Sequence, residues 1–101
     1  MQATVFVDKE TANIRLVGTF NHAVHRPFKE ATRPALANAD VKELLIDMSN
    51  VERIDSSALG LLLVTRDEAK KAGKTMSLKG AQGVTKRALD MAQFERLFAF
   101  K

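Results

Sequence analysis

RIDSSALGLLLV, residues Arg53–Val64, places an aspartate and two serines directly before a run of large apolar side chains. Aspartate and serine are preferred at the amino end of a helix, where the first backbone amides lack partners within the helix. The apolar run continues into a charged segment that ends at Gly73, a residue typical of a helix C-terminal cap. The stretch therefore predicts a helix of about four turns, with Leu59 and residues 61–64 supplying core.

The segment just upstream, ELLIDM (residues 43–48), is a short apolar run bounded by polar residues. Such a run is typical of a strand buried at the centre of a sheet. The polar stretch SNVERID (residues 49–55) is then predicted to be the loop that connects this strand to the helix. Strand, loop and helix together define one β–α unit.

Upstream of this unit, two β-rich runs, ATVFVD and NIRLVG, are predicted to form a hairpin whose turn is KETA. The following segment changes to helical periodicity, with Val24, Phe28, Ala31 and Ala35 on one face. Pro34 does not suit a helix interior, so it predicts a kink or an early end of this helix.

Downstream, KTMSLKG predicts a strand with Met76 and Leu78 on one face. QGVTKRALDMAQ predicts a helix that buries Val84, Ala88 and Met91, and LFAF predicts a short final strand. The order is ββαβαβαβ. Alternation of strands and helices implies right-handed crossovers and a mixed, mostly parallel sheet. The fold class is therefore α/β, with a single domain over residues 1–101.

The composition narrows the class of protein. Apolar residues make up 46% and charged residues 28%, as in soluble globular domains, and there is no cysteine for disulfides or thiolate metal sites. The net charge of +4 is spread along the chain without a dense basic cluster, and Trp and Tyr are absent, so nucleic-acid binding is not expected. Neither a signal peptide nor a membrane-spanning run is predicted.

The head of the central helix carries more candidate caps than one helix needs. Asp55 or Ser56 can accept from the first free amides, and capping alone is one interpretation of the cluster. The other is functional: Ser57 is then left with a free hydroxyl at the positive end of the helix dipole, where a phosphate is tolerated. Gly60 costs about 1 kcal/mol inside a helix, so we expect close packing on the sheet or an approaching partner there.

Other kinds of site find weaker support. His22 and His25 lie three residues apart near a helix start, but no third metal ligand accompanies them. Asp47 is expected at the end of the buried strand, as in response-regulator receivers, yet the acidic cluster that holds magnesium there is missing. A serine hydrolase would need a Gly-x-Ser-x-Gly elbow, which is absent. We expect no enzymatic activity, no cofactor and no metal.

The motif IDSSALG (residues 54–60) resembles the signature of STAS domains, in particular the bacterial anti-sigma factor antagonists. IRLVGTFN, LLIDMSNV and FERLFAF resemble further segments of that family, so the resemblance spans nearly the whole chain. It implies a mixed sheet with helices packed against it. It also implies a cytoplasmic signalling protein, which we expect to be a monomer.

The resemblance further implies a phosphoswitch. Unphosphorylated, the domain would bind an anti-sigma factor that is also a serine kinase; phosphorylation of Ser57 would release it, and a metal-dependent serine phosphatase would reset it. Five residues are implied as neighbours of the phosphosite and as partner-binding residues: Asp55, Ser56, Ala58, Gly60 and Asn21. Asn21 stands where the family often has an acidic residue. The alternative is a constitutive STAS interaction subunit of a transporter or signalling complex, without phosphorylation.

Overall fold

The computed structural model describes residues 2–101, apart from the side chain of His22. Among these residues, five strands and three helices follow the predicted order. The strands are β1 (Gln2–Asp8), β2 (Thr11–Phe20), β3 (Glu43–Ile54), β4 (Thr75–Lys79) and β5 (Ala99–Phe100), and the helices are α1 (His25–Ala37), α2 (Ser56–Lys71) and α3 (Gly83–Met91). Short 3-10 turns cover His22–Val24 and Phe94–Arg96.

The strands form one sheet in the order β1-β2-β3-β4-β5. β1 and β2 are an antiparallel hairpin with Asp8 paired to Thr11, so the turn is the two residues Lys9 and Glu10 rather than the four predicted. The remaining strands are parallel neighbours, each joined to the next by a helix. The predicted mixed, mostly parallel sheet is confirmed.

One face of the sheet packs against the helices and forms the hydrophobic core. Alternate residues of the three central strands are fully buried there, including Ile14, Leu16, Leu44, Ile46 and Leu78. α1 packs over β1 and β2, and α2 packs over β3 and β4. On the opposite face, which we call the open face, the corresponding residues of β2 are exposed; they include Arg15 and Thr19 but also the apolar Val17.

The predicted loop over residues 49–55 is wrong, because β3 continues to Ile54. Its pairing with β2 shifts register twice, with an extra β3 residue after Asp47 and another after Val51. Such bulges break the alternation of buried and exposed side chains, so the polar stretch SNVERID does not show the pattern of a strand. Asp47 consequently lies within the strand and not at its end.

The predicted apolar face of this segment is buried, with Phe28 and Ala35 of α1 and Val24 of the preceding 3-10 turn in the core and Ala31 partly buried against it. The early end predicted from Pro34 is wrong, since the helix runs three residues further to Ala37. A proline at this position frees the carbonyl of Glu30, and both residues are exposed. Water can donate a hydrogen bond to that carbonyl, so the helix tolerates the loss of one internal backbone hydrogen bond.

The predicted buried face of α3 is also wrong. Val84 and Met91 are 57% and 79% exposed, whereas Thr85 and Leu89 are fully buried. Thr85 donates its hydroxyl to the backbone carbonyl of Val51 at 3.1 Å, which ties α3 to the far end of β3. A threonine was not counted as a core residue in the sequence pattern, so the helix was assigned the wrong rotation.

Candidate functional site

The candidate site lies where β2 and β3 end side by side. Phe20 pairs with Ile54, and the amide of Asp55 donates to the carbonyl of Phe20 at 3.1 Å. The segment that begins at Asn21 therefore lies next to the start of α2. The sheet thus brings together two parts of the chain, 34 positions apart, that the sequence had linked only by resemblance.

Asp55 is the N-cap of α2. Its backbone is extended, and its carboxylate accepts from the amide of Ala58 at 2.9 Å, while its own carbonyl accepts from Leu59 at 3.1 Å. This geometry settles the choice between Asp55 and Ser56 as the capping residue. The cap fixes where the helix begins, so Ser56 and Ser57 are its first two residues.

Both serine hydroxyls lie on the surface. Ser56 and Ser57 are exposed, and neither hydroxyl has a hydrogen-bond partner among the side chains and backbone that the structure describes. Within the same residues their two backbone amides are also without acceptors. The helix start therefore offers an exposed hydroxyl beside two free N–H groups at the positive end of the dipole.

The two small residues of the motif differ in role. Ala58 is 1% exposed and packs into the core, so its side chain cannot contribute to a surface in this fold. Gly60 is exposed, and a Cβ built there meets nothing within 4 Å. Close packing on the sheet, one of the two explanations given for Gly60, is therefore wrong.

The apolar run after the motif is divided between core and surface. Leu61 and Leu62 are buried, but Leu63 and Val64 are 36% and 49% exposed, although the sequence assigned all four to the core. Helical spacing places Ser57, Gly60 and Val64 on one face. We call the exposed face of α2 formed by Ser57, Gly60, Leu63 and Val64 the α2 surface. It begins at the phosphosite candidate and becomes apolar two turns later.

Asn21 has a structural task at this edge. Its side-chain oxygen accepts from the amide of Ala23 at 3.0 Å, and its carbonyl accepts from Val24 at 3.0 Å, so it starts the 3-10 turn before α1. Asparagine performs this capping without a charge. Asn21 therefore fixes the turn that leads from β2 into α1.

Two carboxylates on the open face of the sheet have pKa values below their usual range. Lys101, at 2.8 Å from Glu43, is the main cause for that residue, and the hydroxyls of Ser77 and Thr11 add to it. Partial burial raises the pKa of Asp47, but hydrogen bonds from the hydroxyl and amide of Ser49 outweigh it. These carboxylates are held by strand neighbours and lie away from the candidate site.

Residues 2–101, without the His22 side chain, contain no group of three or more His, Cys, Asp or Glu side chains placed to hold a metal ion. The predicted pairing of His22 with His25 involves a side chain outside the described part. Across the described chain, no helix has the length and apolar character needed to span a membrane.

The fold and site together define a class: a small α/β domain whose central helix presents a capped, serine-bearing start at the end of a mixed sheet. The family model described as "Mlab, STAS domain" matches residues 4–99. A STAS-domain containing protein of Pseudomonas aeruginosa (strain UCBPP-PA14) is 30% identical over 91 residues, covering 90% of this chain and 88% of that protein. The chain belongs to the STAS domain family.

Solved structures share this fold at low sequence identity. An anti-sigma factor antagonist from Mycobacterium paratuberculosis is 18% identical, with a TM-score of 0.86 over 98% of this chain and 83% of the other. The phosphorylated form of the Bacillus cell fate determinant SpoIIAA is 18% identical (TM-score 0.73, 98% and 90% covered). A sulfate transporter family protein from Wolinella succinogenes is 19% identical (TM-score 0.77, 94% and 80% covered). These likenesses establish the STAS fold.

Proposed function

We propose that this domain is a non-catalytic phosphoswitch of the cytoplasm that regulates transcription. In its unphosphorylated form it binds an anti-sigma factor that is also a serine kinase, and phosphorylation of Ser57 releases it. A metal-dependent serine phosphatase restores the binding form. The observation that carries the proposal is that Asp55 caps α2, which leaves the hydroxyl of Ser57 exposed and without a partner in the described residues.

The start of α2 can carry a phosphate without loss of the fold. A phosphoserine adds a charge of about −1.5 to −2 at pH 7. At Ser57 this charge would meet the positive end of the helix dipole and the free amides of Ser56 and Ser57. The cap of Asp55 on Ala58 uses a different amide, so phosphorylation does not compete with it.

The same phosphate would change what the α2 surface can bind. Leu63 and Val64 offer apolar contact area, and Gly60 leaves open space in which a partner can approach the helix backbone. A dianion at the head of this surface would have to lose its water when a partner covers it, and that desolvation is costly. Binding without phosphate and release with it follow from this one change.

The modification itself is tested with matched serine variants. The chain is incubated with its cognate serine kinase and with ATP, and intact mass is measured for wild type, Ser57→Ala and Ser56→Ala. We expect one phosphoryl group on the wild type and on Ser56→Ala, and none on Ser57→Ala. Equal labelling of Ser57→Ala would show that the site is assigned wrongly.

The binding surface is tested with the same kinase in the absence of ATP. Gly60→Gln adds a side chain into open space, so it should weaken binding at least tenfold while the domain stays folded. Met91→Gln is the matched control, because Met91 is an exposed apolar residue on α3. If both variants bind like wild type, the α2 surface is not the docking site.

A second candidate is a constitutive interaction subunit, which the likeness to a sulfate transporter family protein supports. In that case the hydroxyl of Ser57 stays unmodified and Asp55 alone caps the helix. Ser57→Asp would then leave partner binding unchanged, and protein purified from its own host would have the unmodified mass. A phosphorylated fraction in that sample, lost in Ser57→Ala, favours the switch.

A further inference from the structure

β1 is an edge strand with three exposed apolar side chains. Within the described residues no strand lies beyond it, and Val5, Phe6 and Val7 are 40%, 61% and 49% exposed. Natural proteins protect sheet edges with short strands, lysines, prolines or bulges. The opposite edge is protected in this way, since β5 has two residues and is followed by Lys101. β1 has seven residues, pairs with β2 without a bulge, and contains neither lysine nor proline.

The backbone of β1 also has unpaired groups at regular intervals. Because the hairpin turn has two residues, Asp8 and Thr11 form the hydrogen-bonded pair that closes it. Bonded and non-bonded pairs alternate along an antiparallel ladder. The amides and carbonyls of Ala3, Val5 and Val7 therefore point away from β2, towards the open edge.

We propose that β1 pairs antiparallel with β1 of a second copy of this chain, joining two five-stranded sheets into one. The register that places Val5 opposite Val5 of the second copy uses all seven residues. It places Ala3 opposite Val7 and Thr4 opposite Phe6. The amides and carbonyls of Ala3, Val5 and Val7, which point towards the open edge, then form hydrogen bonds between the two copies. The open faces of the two sheets then lie on the same side.

Polar groups at the ends of the strand match in this register. The side-chain amide of Gln2 lies opposite the carboxylate of Asp8 of the second copy, and the two-fold symmetry provides this pair twice. The Asp8 residues of the two copies are separated by six residues along the strand, which is about 20 Å at the rise of an extended strand. This distance exceeds the Debye length of about 8 Å in physiological salt, so their repulsion is screened. Within the seven residues of β1 no like charges face each other, and this fit of the strand to itself favours a second copy over a peptide from another protein.

The proposed dimer differs from the monomer expected from the sequence, and it is tested by sedimentation velocity of the full chain over a range of concentrations. We expect the mass to double as concentration rises. Phe6→Lys should weaken association at least tenfold, because residue 6 lies opposite Thr4 of the second copy on the open face. A lysine there puts a charge on the edge strand, which opposes pairing of two sheet edges. Val84→Lys is the matched control, since Val84 is similarly exposed but lies on α3, and it should associate like wild type.

Hydrogen exchange measured by NMR assigns the interface. The amides of Val5 and Val7 should become protected over the concentration range in which the mass doubles. Thr4→Lys is a second edge variant in case Phe6→Lys fails to fold, as judged by circular dichroism. A chain that stays monomeric, a dimer with unchanged Val5 exchange, or protection that requires a different protein would each overturn the proposal. The result is independent of the phosphoswitch, because β1 lies outside the α2 surface.

Discussion

Replacing Gly60 with alanine is expected to stabilise the domain. Gly60 is the fifth residue of a sixteen-residue helix, its φ lies outside the left-handed region, and a Cβ there meets nothing within 4 Å. Alanine is more favourable than glycine in an exposed helix interior by about 1 kcal/mol. For a domain of this size that gain corresponds to a rise in Tm of about 4 to 8 °C.

The assay is urea and thermal unfolding followed by far-ultraviolet circular dichroism. Gly73→Ala is the matched control, because a Cβ there also meets nothing within 4 Å but the residue has a φ of +74°. Alanine in the left-handed region costs about 1 to 2 kcal/mol, so this variant should lose stability. Destabilisation by Gly60→Ala would refute the reasoning, since it would mean that a neighbour does approach α2 at this point.

Three further predictions concern individual contacts. Asp55→Ala should lower the free energy of unfolding by about 1 kcal/mol, whereas Asp55→Asn, which keeps an acceptor for the amide of Ala58, should lose much less in the same urea titration. Lys74→Met should cost about 1 to 3 kcal/mol, since the buried Lys74 ammonium donates to two backbone carbonyls at 2.7 and 2.9 Å. The lowered pKa of Glu43 stabilises the fold above its unfolded pKa, and this contribution is lost as pH falls through the folded pKa; Tm should therefore fall less steeply below about pH 4.5 in Glu43→Gln than in wild type.

Each of these predictions has a result that contradicts it. Equal losses for Asp55→Ala and Asp55→Asn would mean that the carboxylate charge, not the cap, stabilises α2. An unchanged stability of Lys74→Met would mean that water satisfies the two carbonyls. For Glu43, parallel Tm curves of the variant and wild type in acid would show that its bond to Lys101 does not form in solution.

The sequence by itself determined the order of elements and the head of α2. Strand and helix periods are local properties, so the alternation of elements and the end of α2 before Gly73 could be predicted. The cluster at residues 55–57 was also identifiable, because capping depends on neighbours only a few positions apart. These features need no knowledge of which distant residues meet.

The tertiary structure decided features that depend on distant partners. β3 continues to Ile54 because β2 lies beside it and supplies hydrogen bonds across two bulges, which the pattern of β3 alone could not show. The rotation of α3 depends on the bond of Thr85 to β3, and the exposure of Leu63 and Val64 depends on where α2 packs. Gly60 is the clearest case: its sequence position suggested close packing, and only the arrangement of the sheet and helices showed that the space above it is open.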